Sequence, residues 1–123
     1  MPTASRSFDD ADEVRTPPNA QIDVVQVGDA KVARFTMQPG WRWSLSVKPV
    51  AGTETCQAAH TGAVVSGHMH IEHNDGTELE LGPGDVYRIE PGHDAWVQGS
   101  EVFVGYEFDA GTAATYATGN RPG

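Results

Sequence analysis

The stretch Gly82-Pro83-Gly84-Asp85-Val86-Tyr87-Arg88-Ile89-Glu90-Pro91-Gly92-His93 constrains this chain more than any other. A Pro-Gly-Asp turn opens a short run of residues and a second Pro-Gly turn closes it. Proline fixes its own backbone angle and lacks a hydrogen-bond donor, while glycine adopts the turn conformations that other residues resist. A helix of useful length does not fit between such stops. The run Val86 to Ile89 is therefore a short strand pinned at both ends.

The same punctuation recurs along the chain. Ile22, Val24 and Val27 mark a first strand, and Val32 to Met37 a second that closes at Pro39-Gly40. Trp41, Trp43, Leu45 and Val47 alternate with Arg42, Ser44, Ser46 and Lys48, which predicts a strand with one face inward. Ala63 to Val65 ends at Gly67, and His68 to Glu72 leads into Asn74-Asp75-Gly76, whose Asp-Gly pair is a hairpin signal. Leu79 and Leu81 alternate with Glu78 and Glu80, and Ala95 to Gln98 and Val102 to Phe108 complete the set. No helical period of useful length appears. Short strands at regular spacing imply an all-β sandwich or barrel. Its expected core includes Val64, Met69, Leu79, Leu81, Val86 and Ile89.

The 123 residues suffice for one core and not for two. The expected organisation is a polar N-terminal arm over 1–20, one β-barrel domain over 21–109 and a flexible tail over 110–123, rich in Ala, Gly and Thr. A net charge of −9 repels phosphate backbones and anionic lipid, so neither nucleic acid nor a membrane is an expected partner. The acid-bearing N-terminus has no apolar run of the kind a secretory signal needs. A single cysteine, Cys56, allows no internal disulfide. Together these point to a cytoplasmic protein.

The Pro-Gly-Asp segment resembles the second half of the bipartite cupin signature, and the resemblance extends from Val32 to Phe108. It implies a double-stranded β-helix, the jelly-roll barrel of small, stand-alone bacterial cupins. Gly67, in Val64-Val65-Ser66-Gly67, matches the glycine that closes the first half-motif. Counting back from it, Glu54, Cys56 and His60 stand in the columns where cupins carry His, His and Glu ligands. In the second half-motif the family's His falls at Ala95, and this chain carries His93 instead, with Glu90 in the Pro column.

The resemblance thus implies a metal site of His60, His93, Cys56 and Glu54. Residues two apart on a strand share a face, which places Glu54 with Cys56. Sulfur and nitrogen donors favour zinc or iron over magnesium or calcium. Each residue also has a plain structural use: Cys56 as core, His60 and His93 as hydrogen-bonded turn residues, Glu54 as a solvated carboxylate. His68 and His70 fall out of phase with Met69 and Ile71, so they are expected outside or at a subunit contact, and His73 is expected in solvent.

Trp43, Tyr87 and Trp96 are candidates to line a pocket for a small-molecule ligand. Arg42 and Arg88 are candidates to grip a carboxylate. Glu90 is the candidate proton-transfer group. The expected function is a metal-binding cupin acting on or binding a small organic molecule, of dioxygenase, isomerase or lyase type if it is an enzyme. The alternatives are a non-enzymatic sensor or binding module and a cupin whose site has decayed. A homodimer is expected, joined through the arm and the Trp41/Trp43 strand.

Overall fold

The computed structural model describes residues 3–56 and 59–108. The expected tail lies outside them. Among the described residues, nine strands alternate with tight turns: β1 (Glu13–Arg15), β2 (Ala20–Val27), β3 (Ala30–Met37), β4 (His60–Ser66), β5 (His68–His73), β6 (Glu78–Leu81), β7 (Val86–Ile89), β8 (His93–Gln98) and β9 (Phe103–Phe108). They form a six-stranded sheet, ordered β1-β2-β3-β9-β4-β7, and a three-stranded sheet, ordered β6-β5-β8. Every pairing is antiparallel. The Asp-Gly hairpin forms as its sequence requires. Asp75 Oδ1 accepts from the Thr77 backbone N–H at 3.0 Å and from its hydroxyl at 2.6 Å.

The chain passes from one sheet to the other at Gly67. This glycine has φ +75°, and a Cβ there would stand 2.5 Å from the Val102 carbonyl oxygen and 2.7 Å from Phe103 Cα. Only glycine permits both the left-handed backbone and the close approach. The core lies between the sheets. Ile22, Phe35 and Met37 project from the large sheet, and Met69, Ile71, Leu81 and Val97 from the small one.

The segment from Trp41 to Ala51 departs from the strand its alternation predicts. Arg42 makes one bridge to Trp96, and the chain then turns into two short helices, α1 (Trp43–Ser46) and α2 (Lys48–Ala51). The cause lies elsewhere in the sequence. Arg42 occupies the N-cap of α1 without capping it, and Asp94 of β8 reaches across to accept from the Ser44 backbone N–H at 3.1 Å. An exposed N–H of a first turn is thereby satisfied by a residue remote in the chain. Trp43, Ser46, Val47 and Ala51 form the buried face, while Leu45 is 69% exposed. Trp41 and Trp43 are enclosed by their own chain, at 1% and 2% exposure, so they do not supply the subunit contact expected of them.

Two expected core residues are also corrected. Val86 and Ile89 stand three apart, so a strand buries only one of them. Tyr87 and Ile89 face inward and Val86 is 80% exposed. Leu79 is 41% exposed because β6 is an edge strand whose burial is confined to Leu81 at its end. Val64, Met69, Leu81 and Ile89 are buried.

The polar segment ahead of β2 packs on the outer face of the large sheet. Phe8 stacks on Tyr106 with ring centroids 5.3 Å apart, and Arg34 lies 5.2 Å from the Phe8 ring centre. Beneath it the buried Asp23 carboxylate accepts from Arg34 at 3.0 Å and from Gln21 at 2.9 Å. No helix among the described residues is long and apolar enough to cross a membrane.

Candidate metal centre

Side chains on one face of a strand recur every second residue. On β4 the inward set is His60, Gly62 and Val64; on β7, Tyr87 and Ile89; on β9, Phe103, Gly105 and Glu107. Gly62 pairs with Tyr87 on one side and with Glu107 on the other. A side chain at position 62 would fill the space between them, since its Cβ would meet Tyr87 Oη at 2.9 Å and the Tyr106 carbonyl oxygen at 2.2 Å. Glycine leaves that space open. The Tyr87 hydroxyl donates across it to Glu107 Oε2 at 2.8 Å, and Glu107 Oε1 accepts from His60 Nδ1 at 2.9 Å.

From the opposite sheet comes His93, the first residue of β8. It precedes Ala95 by two positions, so the displacement along the strand keeps it on the same inward face. His93 Nδ1 donates to the Glu90 carbonyl oxygen at 2.8 Å, which turns Nε2 toward the interior. Cys56 is fastened to this strand start by the backbone. Its N–H donates to the His93 carbonyl at 2.7 Å, and its carbonyl accepts from the Gly92 N–H at 2.7 Å.

These constraints converge on one cluster. Cys56 Sγ lies 3.6 Å from His60 Nε2, and the His60 and His93 ring centroids are 5.2 Å apart. One donor atom each from Cys56, His60 and His93 lies within 4.8 Å of the other two, and all three residues are buried. Tetrahedral zinc with nitrogen at about 2.0–2.1 Å and sulfur at about 2.3 Å spaces its donors about 3.3–3.6 Å apart. The Cys56–His60 distance matches, and all three donor atoms lie within 4.8 Å of one another. Each histidine hands its other nitrogen to an oxygen acceptor, the arrangement that fixes the tautomer of a metal-ligating imidazole. The donor set therefore fits a zinc or iron ion.

Without a metal, the electrostatics favour a thiolate beside a protonated imidazole, and a bound ion would displace the His60 proton. Burial pushes the Cys56 thiol up, but hydrogen bonds and charge from His60 and His93 outweigh it and bring it down to about 6. Burial opposes charge on His60 as well. The neighbouring Glu107 carboxylate, with the Cys56 thiolate, outweighs it and raises the imidazole to about 10. Burial and the adjacent Glu107 charge push the Tyr87 phenol up, so it remains a donor.

The other expected site residues lie apart from the cluster. Glu54 is exposed, its side chain 90% so, and holds Lys48 at 2.6 Å; it is not near the donors. Glu90 is exposed and paired with Arg88 at 2.8 Å, and it reaches the site through its backbone oxygen alone. Trp43 and Tyr87 line the internal cavity, but Trp96 points to the other face of β8. There it lies between His70, stacked at 4.5 Å, and Arg42, 4.2 Å from its ring centre. His68 is exposed, as expected, whereas His73 is half-buried with its ring 5.6 Å from that of His93. The side chain at the cluster that sequence reasoning passed over is Glu107. Its signal is a carboxylate in the inward phase of Phe103 and Gly105.

No family model matches the chain, and no curated protein matches it in sequence. Solved structures do resemble it. A protein of unknown function from Rhizobium leguminosarum bv. viciae superposes with a TM-score of 0.62 at 19% identity, over 88% of this chain and 96% of that one. An uncharacterised protein with a double-stranded β-helix domain from Klebsiella pneumoniae gives 0.56 at 21% identity, over 95% and 86%. The oxalate decarboxylase of Lactobacillus farciminis gives 0.59 at 14% identity, over 84% of this chain and 31% of that one. The fold is the cupin double-stranded β-helix.

Proposed function

We propose that this cupin-fold protein binds one divalent transition metal, zinc or iron, through Cys56, His60 and His93, and presents it to a small molecule in the barrel. The observation that carries the reading is the convergence of three buried donor atoms within 4.8 Å of one another. Such an ion supplies Lewis acidity or oxygen activation at the ligand. The chain supplies the rest. Glu107 holds the imidazole of His60 in one tautomer, Tyr87 holds Glu107, and the apolar walls exclude water. Glu107, with both oxygens engaged, lines the cavity as a positioning group, and Glu90 faces solvent. Cupin-fold relatives include enzymes, among them the oxalate decarboxylase, and the proposed activity is of the dioxygenase, isomerase or lyase type.

The test is reconstitution of untagged protein with zinc, iron(II) and cobalt(II). About one equivalent is expected, with a thiolate-to-cobalt absorption band that Cys56→Ala abolishes. No retention of any of the three ions at micromolar protein would refute the reading.

A second reading rests on the same geometry. Cys56, His60 and Glu107 stand in the order nucleophile, base and orienting carboxylate. A thiol enzyme would show metal-free modification of Cys56 by iodoacetamide that Glu107→Gln slows, and zinc would inhibit it rather than activate it.

A further inference from the structure

The interior that faces the cluster is apolar on every side but one. Met37, Trp43, Met69 and Ile71 are among its walls, and its polar end carries His60, His93, Tyr87 and Glu107. Among the described residues that line it there is no lysine and no arginine. The arginines expected to grip a carboxylate are engaged outside. Arg42 donates to Asp94 at 3.1 Å, and Arg88 to Glu90 at 2.8 Å and Thr61 at 3.0 Å. The cavity measures ≈ 40 Å³. That is room for about three or four water-sized groups.

We propose that the barrel takes an uncharged molecule of about four non-hydrogen atoms or fewer, its single polar atom toward the histidines and its apolar body against Trp43 and the methionines, and that it rejects carboxylates. The orientation of the polar atom rests on the metal reading; the rejection of anions does not. With a divalent ion in place, the Cys56 thiolate and the Glu107 carboxylate already balance its charge. Without an ion, no lysine or arginine among the described residues lines the cavity to compensate an added negative charge. In either state a buried anion would stand uncompensated. Carboxylate sites are ordinarily built on the guanidinium fork that this interior lacks. A neutral ligand instead brings no charge to compensate and packs against apolar walls.

Acetone and acetate make a matched pair: planar, alike in size, and different in charge. The experiment follows the ¹³C-methyl resonances of Met37 and Met69 as each is titrated into zinc-loaded and metal-free protein. Acetone is expected to shift both resonances to saturation in both forms, and acetate at equal concentration to leave them in place. Ala95→Val, which narrows the cavity, is expected to abolish the acetone shifts while the remaining spectrum reports an intact fold. Acetate shifts as large as those of acetone, or no acetone shift in either form, would overturn the proposal. If zinc fails to bind, the metal reading falls, and the metal-free titration still decides whether the barrel rejects anions.

Discussion

Glu107→Gln is the most informative single change. It keeps the side-chain shape and removes the charge. In the native protein Oε1 accepts from His60 Nδ1 at 2.9 Å and Oε2 from the Tyr87 hydroxyl at 2.8 Å, with all three side chains buried. Glutamine offers one acceptor and one donor in place of two acceptors. Its oxygen can keep the His60 bond, and its amide can donate to the phenol, so the chain of contacts survives in weaker form. A hydrogen bond to a charged group contributes about 1.5–3 kcal/mol and a neutral one about 0.5–1.5. The difference, about 1–2 kcal/mol, corresponds to a loss of roughly 10-fold in metal affinity, at the low end of the 10–100-fold typical of such outer partners. Glu107→Ala leaves the imidazole N–H and the phenol without this partner and is expected at the upper end. Competition of zinc against a chromophoric chelator measures both variants, and urea unfolding of the metal-free proteins separates affinity from stability. If Glu107→Gln binds zinc as tightly as the parent while remaining folded, Glu107 does not support His60 as a ligand.

Leu81→Ala is expected to cost about 2–5 kcal/mol in urea unfolding because the side chain is buried, while Leu79→Ala stays near 0.5 kcal/mol or below; equal losses would contradict the edge position of β6. Gly67→Ala combines a left-handed backbone with a Cβ 2.5 Å from a carbonyl oxygen, and a loss above about 1 kcal/mol or failure to fold is expected. The metal-free protein should also show a pH window set by the Cys56–His60 pair. The folded thiol lies below its ordinary 9.0, at about 6, so its contribution is complete above about 9 and lost as the pH falls to about 6. The folded imidazole lies above its ordinary 6.5, at about 10, so its contribution is complete below about 6.5 and lost as the pH rises to about 10. Thiolate absorbance that persists unchanged well below pH 6, or a melting profile against pH identical in Cys56→Ala, would count against the pair.

The fold was legible because its signals are local. The Pro-Gly turns, the Asp-Gly hairpin and the alternation of Leu81 with its neighbours each act within a few residues. Gly67 stood out as the glycine that closes the first half-motif, and the structure shows why no other residue fits there. Where the reading failed, the deciding partner was distant. The alternation of Trp41, Trp43, Leu45 and Val47 satisfies a strand, but Trp43 and Val47 also stand one helical turn apart. Asp94, fifty positions away, settles the choice by satisfying the Ser44 N–H. Val86 was misplaced for a different reason: a hydrophobic residue beside a turn was counted as core although it stood out of phase with Ile89.

The candidate site divides along the same line. Cys56, His60 and His93 came from counting against the cupin columns, and they lie together because strand parity survives a two-residue shift. His93 and Ala95 share a face, so a donor can move along β8 without leaving the interior. Glu54 shares parity with Cys56 only if the segment is a strand, but Cys56 makes an isolated bridge and Glu54 turns out to Lys48. Glu107 lies 47 residues from His60, and nothing near it in sequence names its partner. What joins them is sheet order: β9 beside β4 beside β7, with Gly62 opening the middle so that Tyr87, Glu107 and His60 form one connected row. A glycine in the centre of a strand, flanked in register by a tyrosine and a glutamate, becomes meaningful only once the pairing is known. It then explains why the buried carboxylate sits where it can hold the His60 imidazole.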